Sequence, residues 1–192
     1  MDRHQPAFEK SLYRDIARVV VPRERIETRV GELGAQIAEA YAGRELTIVA
    51  VLTGALIFLS DLIRHIPLPM RISVVSVSSY PGTATETLGP KVQAPIPADL
   101  QGRHVLLVDD ILDSGRTLQL LCEQAQAMVP GSLRTCVMVR KDRPDLPDRR
   151  DADFVGFDVP NEFLVGYGLD YDNLYRNLPE ICVLTEHARG PR

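Results

Sequence analysis

The sequence lacks the features that mark several large classes of protein. Its 192 residues carry a formal net charge of −4, whereas a dedicated nucleic-acid binder usually presents a basic face. It contains no apolar run of about 18 residues, the length that predicts a transmembrane helix. Its first segment, MDRHQPAFEK, lacks the apolar core of a signal peptide. We therefore expect a cytoplasmic protein that binds neither nucleic acid nor a membrane.

Cysteine is scarce, and its spacing argues against thiol-based sites. The chain has three cysteines, none in a C-x-x-C arrangement and each within an apolar run. This pattern predicts buried, reduced thiols rather than a disulfide or a metal site. The residues concerned are Cys122, Cys136 and Cys182.

Two common nucleotide-binding signatures are also absent. P-loop hydrolases require G-x-x-x-x-G-K-[ST], and dinucleotide-binding oxidoreductases require a G-x-G-x-x-G turn after a strand. The sequence contains neither pattern, although VLLVD at 105–109 resembles the acidic second strand of a P-loop protein. Both enzyme classes are therefore poor explanations of this chain.

What the sequence does contain is an alternation of strand-like and helix-like segments. Apolar residues recur at three- and four-residue steps between Pro22 and Gly43, which predicts an amphipathic helix. With 45% hydrophobic and 25% charged residues, the chain is expected to form one α/β domain with a mainly parallel sheet. The predicted strands include 46–52, 71–80, 105–108 and 132–140, and a second predicted helix covers 55–66.

Ligands of such sheets bind at the carboxyl ends of the strands. Four polar segments follow predicted strands, and we expect them to meet at one rim. They are Thr53-Gly54, Ser79-Tyr80, Asp109–Thr117 and Arg140-Lys141. A long polar loop over 81–103, rich in Gly, Pro and Thr, is typical of a mobile lid.

The segment VLLVDDILDSGRTLQLL places acidic residues beside a loop suited to phosphate. Small residues before a helix expose backbone N–H groups at its positive end, and Gly115 permits close approach. Ser114 and Thr117 add hydroxyl donors. Asp109 and Asp110 can bind a divalent cation or accept hydrogen bonds from sugar hydroxyls. A phosphorylated sugar with Mg²⁺ would suit both the loop, which would bind the phosphate, and the acidic residues, which would bind the hydroxyls and the metal.

Each of these residues also has a simpler structural explanation. Taken singly, Asp110, Asp113 and Ser114 are typical turn and helix-cap residues, but their combination after a buried strand favours a site. Lys141 lies in the charged run RKDRPDLPDRR, which by default is a solvated face. Phe163 and Tyr167 are also explained as core aromatics, although the position beside GYGLDY favours a ligand role for Phe163 alone. Asp170 and Asp172 are also explained as turn caps, and Arg176 as a surface arginine on a helix.

The acidic segment resembles the phosphoribosyl pyrophosphate (PRPP) binding motif of the type I phosphoribosyltransferases. The resemblance extends to VAVLTGALIFLSDLIRHI, VSSY, DFVGFDVPNEFLVGYGLDY and YRNLPEICVL, which are similar to the hypoxanthine-guanine branch of that family. It covers most of residues 46–184. It implies a twisted, mainly parallel sheet flanked by helices, as a core over about 24–160. A small hood would form from about 1–22 and 161–192, within one domain of 1–192.

The resemblance implies a role for each residue of the acidic motif. Asp109 and Asp110 would hold the ribose hydroxyls and lie near magnesium. Asp113 would face N7 of the purine and handle its proton as the catalytic residue. The 5′-phosphate would be cradled by Asp113, Ser114, Gly115, Arg116 and Thr117.

The resemblance implies that residues elsewhere in the chain complete the site. Lys141 would meet the purine 6-oxo group, Phe163 would stack on the ring and Leu164 would read its edge through the backbone. Asp170 would hold a second magnesium beside the purine. Pyrophosphate would be bound by Leu52, Thr53, Gly54 and Arg176, and the lid would open at Ser79 and Tyr80.

The implied enzyme transfers the 5-phosphoribosyl group of PRPP to N9 of hypoxanthine or guanine and releases pyrophosphate, with Mg²⁺ as cofactor. A homodimer or homotetramer is the expectation from the family. Two positions depart from the pattern. Thr53 stands where many relatives have Lys or Arg, and Pro81 where bacterial relatives often have Gly.

A regulator with the same fold that binds RNA is the alternative, since fold alone does not fix function. The net acidity and the lack of basic runs with interleaved aromatics count against it. RNA binding with a steep salt dependence would distinguish it from the enzyme.

Overall fold

Strands and helices alternate through most of this computed structural model, which describes residues 13–78, 91, 92, 96 and 99–189. The helices are α1 (Arg23–Ala40), α2 (Leu56–Leu62) and α3 (Arg116–Ala127). The strands are β1 (Ile16–Val21), β2 (Leu46–Leu52), β3 (Met70–Ser78), β4 (Lys91–Val92), β5 (His104–Leu112), β6 (Ser132–Lys141), β7 (Phe154–Val159), β8 (Leu164–Val165) and β9 (Ile181–Leu184).

The larger sheet has the strand order β4-β3-β2-β5-β6-β7. Its last five strands in that order are parallel, and β4 is antiparallel to β3. This confirms the predicted mixed α/β fold with a mainly parallel sheet. Parallel strands are buried on both faces, which explains why β2 is a continuous apolar run with six buried residues.

Alternate residues of the central strands pack against helices on opposite faces. Ile48 and Ala50 belong to an apolar cluster with α1 and α2. Val49 and Val51 belong to a second cluster, which contains the buried face of α3. Because helices cover both faces of the central strands, the polar groups at the ends of these strands are the part that a ligand can reach, while the outer strand β3 also exposes Ile72 and Val74.

The helix predicted between Pro22 and Gly43 is confirmed. α1 begins directly after Pro22 and buries one stripe of apolar residues against the sheet. Gly43 follows in the left-handed region with φ of 73°, a conformation that glycine adopts readily. The three cysteines are buried and free, as their spacing predicts.

A second sheet brings the two ends of the described chain together. Its order is β1-β9-β8, with antiparallel pairing throughout. Leu164 and Val183 of this sheet share an apolar cluster with Ile48 of the larger sheet, so the two sheets are packed together. The assignment of all 192 residues to one domain stays a prediction.

Several boundaries differ from the sequence-based predictions, two of them by more than one residue. β5 extends to Leu112, so Asp109 and Asp110 lie within the strand rather than after it. The helix expected over 55–66 ends at Leu62 and continues as a 3-10 turn, Ile63–His65. Within the described ranges, none of the helices combines the length and apolar character needed to cross a bilayer.

Candidate active site

A cleft of about 900 Å³ lies at the carboxyl ends of β2, β3 and β5, beneath the segment that leads to β9. The rim predicted from the sequence is therefore formed in part by the expected residues. The site candidates that line it are Leu52, Thr53, Gly54, Asp109, Asp110, Asp113, Ser114, Gly115, Thr117, Asp170 and Arg176. Ser79 and Tyr80 lie outside the described residues.

Asp109 and Asp110 form an acidic pair near the end of β5. Asp109 is only 5% exposed, and its Oδ1 accepts the backbone N–H of Asp110 at 3.0 Å. Burial, reinforced by the adjacent charge of Asp110, raises the pKa of Asp109 well above its ordinary value. Burial also raises the pKa of Asp110, although the positive charge of Arg176 partly opposes it. The pair is therefore suited to a ligand that brings cationic charge or hydroxyl donors.

Gly54 permits the close approach between the β2 loop and this acidic pair. A Cβ at Gly54 would overlap the Asp110 carboxylate, so no other residue fits without movement. The peptide bond between Leu52 and Thr53, one residue earlier in the same loop, is cis. Gly168, with φ of 101°, packs in turn on the carbonyl oxygen of Gly54. These contacts join the loop after β2, the end of β5 and the segment before β9.

The segment from Asp113 to Thr117 turns directly into α3. Gly115 occupies the left-handed region with φ of 76°, and the helix begins at the next residue. The carbonyl of Gly115 accepts the first helical hydrogen bond, from Gln119 N–H at 2.9 Å. This leaves Ser114, Gly115 and Thr117 facing the cleft at the positive end of the helix. Arg116 is exposed at the first helical position.

Asp113 is held by two cations. The Nζ of Lys141 donates to its Oδ2 at 2.8 Å, and the Nη1 of Arg143 donates to its Oδ1. Burial raises the pKa of Asp113, but the hydrogen bonds and charges of Lys141 and Arg143 outweigh it, so the net shift is downward. Asp113 is thus maintained as a carboxylate.

Lys141 is the one residue of the expected Arg140-Lys141 pair that turns toward Asp113. It is buried, with 9% of its surface exposed. Arg140 instead pairs with Asp151 and Asp158 at 2.7 and 2.6 Å. Because adjacent residues of a strand face opposite ways, the alternation of β6 explains this division.

Asp170 and Arg176 lie across the cleft and contact each other. Asp170 Oδ1 and Arg176 Nη2 are 2.8 Å apart, and Asp170 Oδ2 accepts the N–H of Asn173 at 2.8 Å. Arg176 also donates to the carbonyl of Gly168 at 2.7 Å. The guanidinium is therefore fixed beside the glycine that packs on Gly54.

Phe163 immediately precedes β8, which begins at Leu164. Phe163 is 42% exposed and meets Tyr171 edge to face, with ring centroids 5.4 Å apart. Leu164 is buried in β8. Tyr167 is also buried, and its hydroxyl donates to Asp61 at 2.8 Å, which agrees with the core role expected of it.

Sequence reasoning missed Arg143, Asn173, Ser76 and Val77, all of which line the cleft. Arg143 belongs to the charged run that was interpreted as a solvated face. Its spacing of two residues from Lys141 was the available signal, since it places both cations near the end of one strand.

Magnesium can be tested against the chemistry of these donors. Asp109, Asp110 and Asp170 supply hard carboxylate oxygens, but within 13–78 and 99–189 no three metal-binding side chains cluster. Mg²⁺ is commonly bound by one or two carboxylates with substrate oxygens and water completing its coordination. The residues therefore fit magnesium that arrives with a phosphorylated substrate.

Comparison with known proteins gives consistent results. The phosphoribosyl transferase domain model matches residues 21–172. The chain is 43% identical over 191 residues to a hypoxanthine-guanine phosphoribosyltransferase of Mycobacterium avium, covering 93% of this chain and 91% of the relative. It is 38% identical over 169 residues to a hypoxanthine phosphoribosyltransferase of Salmonella typhimurium, covering 85% and 92%. A crystal structure of a hypoxanthine phosphoribosyltransferase from Staphylococcus aureus superposes with a TM-score of 0.84 at 36% identity, covering 94% and 98%.

Proposed function

The chain belongs to the phosphoribosyltransferase family and is a PRPP-dependent enzyme of purine salvage, and we propose that its cleft joins the ribose C1 of PRPP to N9 of hypoxanthine or guanine. The observation that supports this most directly is the shared cleft. It combines an acidic pair, a helix-leading loop of small residues and a carboxylate paired with a lysine. These groups match the ribose, the phosphate and the purine respectively.

The loop from Asp113 to Thr117 binds the 5′-phosphate in this proposal. Backbone N–H groups at the start of α3, together with the Ser114 and Thr117 hydroxyls, offer donors to the phosphate oxygens. Asp109 and Asp110 accept hydrogen bonds from the ribose hydroxyls. The substrate thus brings donors to the carboxylates and acceptors to the loop.

Asp113 accepts the N7 proton of the purine in this proposal. As N9 forms its bond to C1 of the ribose, the bond from C1 to the pyrophosphate oxygen breaks and its electron pair leaves with pyrophosphate. The proton on N7 passes to the Asp113 carboxylate. A carboxylate that stays ionised is available to accept it, and the two cations beside Asp113 favour that state.

Lys141 recognises the 6-oxo group. Its ammonium has three donors and uses one for Asp113, so donors remain for a carbonyl oxygen. The exposed ring of Phe163 offers a stacking surface, and the backbone of Leu164 reads the edge of the base. Adenine carries an amino donor at position 6 and is poorly matched to an ammonium.

The leaving pyrophosphate is bound by the loop from Leu52 to Gly54 and by Arg176. Because Thr53 offers no charge, Arg176 is the cation on which this loop depends, and Asp170 and Gly168 orient it. Magnesium held by Asp109, Asp110 and Asp170 would neutralise negative charge on the phosphates.

An ultraviolet absorbance assay tests the proposal. PRPP, Mg²⁺ and each of hypoxanthine, guanine, xanthine and adenine are supplied in turn, and nucleotide formation is expected with hypoxanthine, guanine or both. Absence of turnover with every base, together with RNA binding that weakens steeply with salt, would favour the regulator instead. We further propose a homodimer or homotetramer in the cytoplasm.

A further inference from the structure

The end of β6 and the charged segment after it contact Asp113 through Lys141, Arg143 and Arg149. Lys141 ends β6, and Arg143 follows two residues later. Both contact the Asp113 carboxylate, one at each oxygen. We propose that Arg143 is a positioning residue that aims the Asp113 carboxylate and keeps it ready to accept the purine proton. This inference rests on the proposed function of Asp113.

The geometry of Arg143 suits a positioning role. Its Nη1 donates to Asp113, while its Nε and Nη2 donate to the two carboxylate oxygens of Asp145 at 2.9 and 2.8 Å. A guanidinium is a planar fork, so fixing one side of it on Asp145 directs the other side. With Lys141 on the second oxygen, rotation of the Asp113 carboxylate is restricted.

The backbone of Asp113 is held by the same segment. Arg149 Nη1 donates to the carbonyl of Asp113 at 2.7 Å and to that of Lys141 at 3.0 Å. A Cβ at Gly115 would lie 2.7 Å from Arg149 Cγ, so the loop from Asp113 to Thr117 rests directly on this arginine. Main chain and side chain of Asp113 are both fixed from one direction.

The charges facing Asp113 explain why the loss of Arg143 should matter. Lys141 and Arg143 are the cations at its side chain, and Asp145 stands behind Arg143. Asp110 and Arg176 line the same cleft. Burial acts to raise the pKa of Asp113, and the two cations reverse that effect. Without Arg143, Asp113 would be protonated at a higher pH and would lose the proton-accepting form sooner on acidification.

Arg143 is distinguishable from Lys141 by what its loss changes. Lys141 is also assigned to the 6-oxo group, so its removal alters base recognition. Arg143 contacts two carboxylates, Asp113 and Asp145. Its removal should therefore lower kcat without changing the preference for hypoxanthine over adenine or the KM for PRPP.

The test compares Arg143→Gln, Arg143→Lys and Arg150→Gln across a pH series with saturating PRPP and Mg²⁺. For Arg143→Gln we expect kcat with hypoxanthine to fall about 10-fold at pH 7, the scale of one charged hydrogen bond. The acid side of its pH profile should move to higher pH. Arg143→Lys keeps the charge, so it should leave the acid side in place and restore part of kcat. Arg150, exposed in the same segment, is the matched control and should behave as wild type.

Three results would overturn the inference. They are a wild-type profile for Arg143→Gln, a loss of kcat that is equal at every pH, and an Arg143→Lys variant as impaired as Arg143→Gln. If Arg143→Gln does not fold, as judged by circular dichroism, Arg143→Lys decides alone. If Arg143→Lys has a lowered kcat and the acid limb of its pH profile matches wild type, the positioning role of Arg143 is supported. A wild-type kcat for Arg143→Lys contradicts that role. A wild-type protein that forms no nucleotide would instead refute the proposed function itself.

Discussion

Asp109 and Asp110 are separated from Asp113 by only two residues, yet they lie in opposite electrostatic surroundings. The pair is inside β5, where burial raises the pKa of both carboxyls. Asp113 lies in the loop beyond, where Lys141 and Arg143 hold its pKa below the ordinary value. The same residue type therefore enters the cleft in two electrostatic states.

The opposite pKa shifts of the pair and of Asp113 indicate where the positive charge that compensates each carboxylate comes from. Asp113 receives its cations from the protein, through the end of β6 and the segment after it. For the pair of Asp109 and Asp110, the charge of Arg176 lowers the pKa of Asp110. Arg176 already contacts a third carboxylate, that of Asp170. Under the proposed function, the substrate and its metal would compensate the pair, whereas Lys141 and Arg143 already compensate Asp113.

Removal of divalent metal is the largest expected effect and acts on the pair. If Asp109, Asp110 and Asp170 serve magnesium, nucleotide formation should disappear in EDTA and return with excess MgCl₂. The measurement is the absorbance assay, with PRPP binding followed in parallel by calorimetry. Full activity in a preparation verified to be metal-free would show that the carboxylates act without magnesium.

Asp113→Asn tests the carboxylate that the protein itself compensates. We expect kcat to fall about 10²- to 10⁴-fold, the usual range for a general acid or base, because the amide cannot accept the N7 proton. PRPP affinity should change little, since Asp109, Asp110 and the phosphate-binding residues Ser114, Gly115 and Thr117 remain. Near-normal turnover would remove Asp113 from the mechanism.

Lys141→Met tests whether one cation serves both Asp113 and the base. Use of hypoxanthine and guanine should weaken by about 1.5–3 kcal/mol, the range for a charged hydrogen bond, while PRPP and pyrophosphate affinity stay nearly intact. Arg140→Gln is the matched control because Arg140 pairs with Asp151 and Asp158 on the other side of β6. Wild-type kcat/KM for hypoxanthine in Lys141→Met would return the lysine to a purely structural role.

Local pattern was sufficient to predict much of the fold. β2 occupies the predicted range because a fully buried strand is a continuous apolar run. α1 follows from apolar spacing and from Pro22 at its start. Gly54, the acidic motif, Asp170 and Arg176, which the family resemblance assigns to one site, line the same cleft. The roles assigned to these residues stay predictions.

What sequence reasoning missed depends on contacts between distant segments. β5 continues through Asp109 because that residue pairs with Val137 of β6, which local polarity does not reveal. Gly54 is required by the carboxylate of Asp110, a residue far along the chain. Arg143 looked like part of a solvated charge run until the fold placed Asp113 beside it.

The smallest expected effect is on thermal stability. It distinguishes the surroundings of Asp109 from those of Asp113 without any assay of activity. A carboxyl whose pKa is raised on folding destabilises the protein above its unfolded pKa, whereas one whose pKa is lowered stabilises it there. In EDTA at pH 7.5, Asp109→Asn should therefore raise Tm by about 2–4 °C, or ~1 kcal/mol, since Asn keeps the Oδ1 acceptor for Asp110 N–H. Asp113→Asn should lower Tm by less than about 2 °C, because the Asp113 side chain is 40% exposed. The increase in Tm for Asp109→Asn should fade as pH approaches about 4, where unfolded aspartate takes up its proton. Changes in Tm of the same sign in both variants would contradict the difference between the two sites.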